Sequence, residues 1–140
     1  MVERENANVL WFDELRRADV DLVGGKSSSL GEMTSVMDVP VPFGFATTAA
    51  AYRRFMQETG INDQVNALLA ALTDYEDSDA LHTTCSQIRQ IIVDATMPAD
   101  LAAEIEAAYE QLGQRMGETD PFVAIRSSAT AEDLPDASFA

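Results

Sequence analysis

From residue 49 to residue 112 the chain carries apolar residues at helical spacing in one segment after another. Strand-forming material lies almost wholly outside that stretch, so the sheet is under-supplied with strands, which suggests a missing remainder. "AAAYRRFMQET" (residues 49–59) predicts a helix that Thr47 or Thr48 caps and Gly60 ends. Ile61, Val65, Leu68, Leu69 and Leu72 then share one face of a second helix. An acidic loop, "TDYEDSD", leads to a third helix carrying Leu81, Cys85, Ile88 and Ile92. Pro98 suits the first turn of a fourth, with Leu101, Ile105, Ala108 and Leu112 on its inner stripe. Three short runs remain for strands: "NVLWF" (8–12), residues 43–46, and Phe122, Val123 and Ile125. Pro40 and Pro42 flank Val41 and forbid a central strand there. The fold class expected is α+β, or α/β-like, with helices clustered between short strands.

Charge narrows the partners. Nine basic against twenty-four acidic residues give a net charge of −15 over 140 residues. Nucleic acid is excluded as a partner, because its phosphates need a basic surface. An anionic ligand requires local positive charge or metal ions to offset the field. The only lysine is Lys26, which makes its position informative. No run approaches the 18 apolar residues of a membrane span, and "MVERENANVL" lacks the apolar run of a signal peptide. The single cysteine, Cys85, excludes an intrachain disulfide and is expected to be a buried thiol in a reducing, cytoplasmic setting.

Two stretches hold residues suited to phosphate chemistry. In "VGGKSSSLGEM", Gly24 and Gly25 allow a tight turn, and Leu30, Met33 and Met37 place a helix start near residues 26–28. A P-loop would need glycine five positions before Gly25, where Val20 stands, so this is not a Walker A motif. A glycine turn, backbone amides at a helix start and a lysine remain, open either to phosphate binding or to an ordinary turn with a solvated lysine. In "FVAIRSSATAEDLPDASFA", Arg126 is expected at the carboxyl end of a strand, where parallel sheets gather ligands. Its guanidinium fork suits phosphate oxygens, with Ser127, Ser128 and Thr130 as further donors. Pairing of Arg126 with Glu132 or Asp133 in a surface loop is the alternative. Glu132, Asp133 and Asp136 suit magnesium chemically but fit a solvated loop as well. His82, the one histidine, reads as an ordinary helix residue.

At these stretches the chain resembles the phosphoenolpyruvate synthase (pyruvate, water dikinase) family. "DVDLVGGKSSSLGEM", "VPVPFGFATTAAAYRRFM" and "AIRSSATAEDLPDASFA" carry the resemblance, in order and over nearly the whole chain. Rifampicin phosphotransferases and pyruvate, phosphate dikinases are similar here. The resemblance implies that residues 1–140 are the incomplete N-terminal portion of an ATP-grasp-type nucleotide-binding domain. It implies a phosphohistidine domain and a pyruvate-binding barrel elsewhere, with ATP converted to AMP and phosphate on the way to phosphoenolpyruvate. Lys26 matches the family's Gly-Gly-Lys lysine and Arg126 the arginine of its Val-Arg-Ser-Ser-Ala motif, both on ATP phosphates; here Ile125 replaces that valine. Ser127 and Ser128 join them as nucleotide contacts. No catalytic residue or metal ligand is assigned, since the ligands for Mg2+ are expected mostly outside this chain. Pyruvate would be met only through domains not present, in a parent expected to be a homo-oligomer and active where this portion alone is not. A non-catalytic binding module that kept the fold is the reading from a different class.

Overall fold

The computed structural model describes residues 3–131. In chain order these form β1 (Val9–Trp11), α1 (Val20–Ser35), β2 (Phe45–Thr47), α2 (Ala49–Glu58), α3 (Ile61–Ala71), α4 (Ser78–Asp94) and α5 (Ala99–Met116). They fall into two compact units. One takes the chain up to Tyr52 and again from Asp100 onward; the other is Arg53–Ala99.

The first unit is organised by β1 and β2, which pair antiparallel with Val9 opposite Thr47, Leu10 opposite Ala46 and Trp11 opposite Phe45. Side chains alternate across the pleat, so each strand serves both faces. Leu10 and Ala46 join Leu15 and Val23 in one cluster, edged by Ala7, Phe12 and Leu22. Trp11 turns the other way, onto Ala108 and Leu112 of α5, with Val9 and Phe45 beside it. The Trp11 and Phe45 rings sit 5.4 Å apart, tilted by 58°. Above Trp11 the Arg115 guanidinium lies 3.7 Å from the ring centre, a cation–π contact, and reaches the Asp13 carboxylate at 3.2 Å. Each large apolar side chain so buried contributes about 1.5–3 kcal/mol.

Two short 3-10 turns, Phe12–Glu14 and Arg17–Asp19, carry the chain from β1 into α1. Leu15 lies between them, fully buried. It fits because Gly31 of α1 has no side chain: a Cβ there would overlap Leu15 Cβ. Thr48 caps α2 as its sequence promised, accepting from the Ala51 amide at 3.1 Å while donating to the Ala7 carbonyl.

The second unit packs Met56, Ile61 and Val65 with Phe55, Ile88, Ile91, Ile92 and Ala95. Gly60, at φ +72°, ends the α2 run, and the Asp77 carboxylate caps α4 through the Asp79 and Ala80 amides. The expected stripes are only partly buried. Leu81 and Leu69 are exposed, and Cys85 is an exposed thiol, against the expectation of a buried one. A third helix closes the seam of a helix pair, and α2 supplies Phe55 and Met56 only where Ile88 to Ile92 lie. His82 is exposed as well.

One expectation fails outright. Phe122, Val123 and Ile125 form no strand, and Phe122 and Ile125 stand fully open to solvent. A short apolar run makes a strand only where a neighbouring edge takes its backbone groups. Among the described residues β1 and β2 pair only with each other. The sheet is also antiparallel, so Arg126 does not sit at the carboxyl end of a parallel strand.

Candidate functional site

The glycine turn is a break inside α1. Gly24 adopts φ 78° and ψ 167°, a region closed to residues with a Cβ, so the helix starts afresh at Gly25. The sequence placed that start within a residue or two. Ser28 donates back to the Gly25 carbonyl at 3.1 Å, and both Ser27 and Ser28 are buried while Ser29 is exposed. Lys26, between turn and buried serines, is half-buried. The first amides of the new helix therefore lie beside the lysine, a positive end suited to anions.

Against this turn lies the segment that follows Arg126. The Ser128 hydroxyl donates to the Val23 carbonyl at 2.6 Å across 105 residues of sequence, and it lies 3.5 Å from the Ser27 hydroxyl. A Cβ on Gly24 would overlap Ser128 Oγ and come within 2.9 Å of the Ala129 carbonyl oxygen. Gly24 thus meets two demands: a positive φ, and room for a second backbone. The two phosphate-suited stretches are brought together at Val23, Gly24 and Ser27 on one side and Ser128 and Ala129 on the other. Arg126 and Ser127, just before the contact, are exposed. Glu132, Asp133 and Asp136 lie outside the described residues.

Flanking contacts hold both sides. Arg4 grips Asp19 with two hydrogen bonds, 3.1 and 2.9 Å, and donates to the Glu14 carbonyl at 2.8 Å. Partial burial works against ionisation of Asp19. Arg4, the Arg16 amide at 2.7 Å and the charges of both arginines outweigh it and hold the carboxyl below its ordinary range. Glu32 accepts from the Arg17 amide at 2.9 Å, tying the entry of α1 to its own later turn. On the other side the Tyr109 hydroxyl lies 2.7 Å from the Asp120 carboxylate and 2.8 Å from the Pro121 carbonyl, fixing the chain that leads to Arg126. The hydrogen bond to Asp120 is the main cause that pushes the Tyr109 phenol above its ordinary value.

Sequence reasoning missed the Ser128–Val23 bond and the burial of Ser27 and Ser28. A run of three serines directly after a glycine pair was the available signal, since small side chains let another segment approach a helix closely. Among the described residues no group of three or more His, Cys, Asp or Glu side chains could hold a metal ion. No helix among them is long and apolar enough to cross a membrane.

Comparison with known proteins places the chain in a family. The chain is 53% identical over 135 residues to a phosphoenolpyruvate synthase of Neisseria meningitidis, covering 94% of this chain and 17% of that protein. It is 52% identical over 135 residues to the phosphoenolpyruvate synthase of Pseudomonas aeruginosa, with the same coverage. A probable phosphoenolpyruvate synthase of Methanocaldococcus jannaschii is 50% identical over 132 residues, 94% of this chain and 11% of that protein. The chain thus spans less than a fifth of the length of these relatives. Residues 20–140, from the first residue of α1 through both phosphate-suited stretches, match the profile described as the pyruvate phosphate dikinase AMP/ATP-binding domain, and the chain belongs to that family.

Proposed function

We propose that this chain is the ATP-binding part of a phosphoenolpyruvate synthase, holding the nucleotide's phosphates between the Gly24 turn and the Arg126 segment. The observation that carries this reading is the Ser128–Val23 hydrogen bond, which seats one phosphate-suited stretch against the other. Lys26 supplies a compact cation at a helix start, and Arg126 a planar fork on the facing segment. Ser127 and the amides after Gly24 complete the donors. In a protein of net charge −15, local cations of this kind are what an anionic ligand requires.

The finer reading is an ATP-grasp-type domain in which Mg2+ arrives on the phosphates it neutralises, as carboxylate-poor nucleotide sites allow. The ion, when bound, draws charge from the transferred phosphoryl group. The parent enzyme would pass that group through a phosphohistidine to pyruvate, releasing AMP and phosphate. Its pyruvate site and histidine would lie outside residues 1–140. A cytoplasmic homo-oligomer serving gluconeogenesis fits that chemistry.

Titration of this chain with Mg-ATP tests the reading. Affinity near ~1 mM is expected, only about 4 kcal/mol, because a single lysine and a single arginine face several phosphate charges. Lys26→Ala and Arg126→Ala are each expected to weaken binding about tenfold, as loss of a charge-assisted hydrogen bond does. Unchanged affinity in both variants would refute the assignment. No AMP is expected to form with this chain alone.

A further inference from the structure

We infer that Ser128 is a positioning residue: its hydroxyl docks the segment after Arg126 onto the Gly24 turn and does not itself bind phosphate. The inference rests on the nucleotide-site reading for its purpose, but on geometry for its substance. Ser128 donates its one hydroxyl hydrogen to the Val23 carbonyl at 2.6 Å. Its oxygen in turn accepts from the Ser27 hydroxyl at 3.5 Å, and Ser27 is buried. A serine has one hydrogen to donate, and here it points into the protein. The absent side chain of Gly24 gives it the space, and the Ala129 carbonyl follows it in.

Two roles thereby separate along three residues. Arg126, Ser127 and Ser128 are all exposed as residues, but the Ser128 hydroxyl is turned onto the Val23 carbonyl and fixes where the other two stand. Val23, Gly24 and Ser27 lie on either side of Lys26 in sequence. The Ser128 contact therefore sets the spacing between the two cations that the phosphates must bridge. A hydroxyl on phosphate would contribute one hydrogen bond. A hydroxyl at this position governs the placement of several donors at once.

The test uses this chain in a Cys85→Ser background, so that introduced thiols are the only ones. Ser27→Cys with Ser128→Cys is expected to close to a disulfide on mild oxidation at least tenfold faster than Ser29→Cys with Ser128→Cys, because Ser29 faces solvent. Equal rates would overturn the docking. Separately, Ser128→Ala is expected to speed hydrogen exchange of amides 24–28 about fivefold while α5 amides are unchanged. The oxidised 27/128 pair, lacking both hydroxyls, is expected to restore slow exchange, a rescue that general loss of stability would not show. Unchanged exchange in Ser128→Ala, or equal acceleration in α5, would also overturn it. Mg-ATP titration of the same samples separates the two readings. Normal docking with no Lys26-dependent nucleotide binding would refute the proposed function and leave the positioning of the segment standing.

Discussion

Gly24→Ala is expected to destabilise the first unit by about 2–4 kcal/mol, and the figure can be assembled from its surroundings. The backbone at φ 78°, ψ 167° costs a residue with a Cβ about 1–3 kcal/mol. The new methyl would overlap Ser128 Oγ and press on the Ala129 carbonyl at 2.9 Å, so the Ser128–Val23 bond is lost as well. That adds about 1 kcal/mol. Gly117 provides the control within the same unit. It too has positive φ, at 71°, but nothing lies within 4 Å of where its Cβ would be. Gly117→Ala therefore carries only the backbone strain, about 1 kcal/mol. Urea unfolding followed by circular dichroism reads both. With a slope of about 2 kcal/mol per molar urea, the Gly24 midpoint is expected to fall by about 1–2 M and the Gly117 midpoint by about 0.5 M. Equal falls would refute the reasoning, because they would mean that no second segment presses on Gly24.

Thr48→Ala removes a helix cap and a buried hydroxyl partner of the Ala7 carbonyl, and a loss of about 1–2 kcal/mol in urea unfolding is expected. Since Asp19 is held below its ordinary range, its contribution is complete above that range and is lost as pH falls through its lowered value. The difference in urea midpoint between wild type and Arg4→Gln is accordingly expected to shrink in strong acid, as the carboxyl that Arg4 grips becomes protonated. Tyr109 behaves in the opposite sense. Its phenol is raised, so stability is full below the ordinary tyrosine value and falls as pH climbs through the raised one, and absorbance at 295 nm should lose its latest-titrating step in Tyr109→Phe.

Local rules read well wherever the deciding partners are near in sequence. Thr48 and Gly60 bound α2 as capping chemistry requires, and β2 follows Pro40 and Pro42 but starts at Phe45, two residues later than expected. The break at Gly24 was legible from two glycines and a helical run after them. Phe122 to Ile125 misled because a short apolar run reports what a strand needs and not whether an edge exists to receive it. Cys85 misled for a related reason: a helical stripe is buried only along the length that a third element covers. Lys26 and Arg126 stood out by residue type and motif as candidates for one site, whereas the atoms that join their segments did not. No periodicity in the sequence links Ser128 to Val23, and the missing Cβ of Gly24 reads as a turn until the other backbone is seen against it.

The Val23–Ser128 bond also has a consequence in time. Its partners lie 105 residues apart, and a ribosome adding about 5–20 residues per second separates their appearance by about 5–20 s. Pairing of β1 with β2 needs fewer than forty intervening residues and is possible far earlier. Throughout that interval the Gly24 turn has no facing segment, and under the proposed reading Lys26 stands without Arg126. Assembly of the candidate site is therefore timed by translation, and slowing the ribosome anywhere between these codons lengthens the period in which the chain exists folded in part with one side of that site missing.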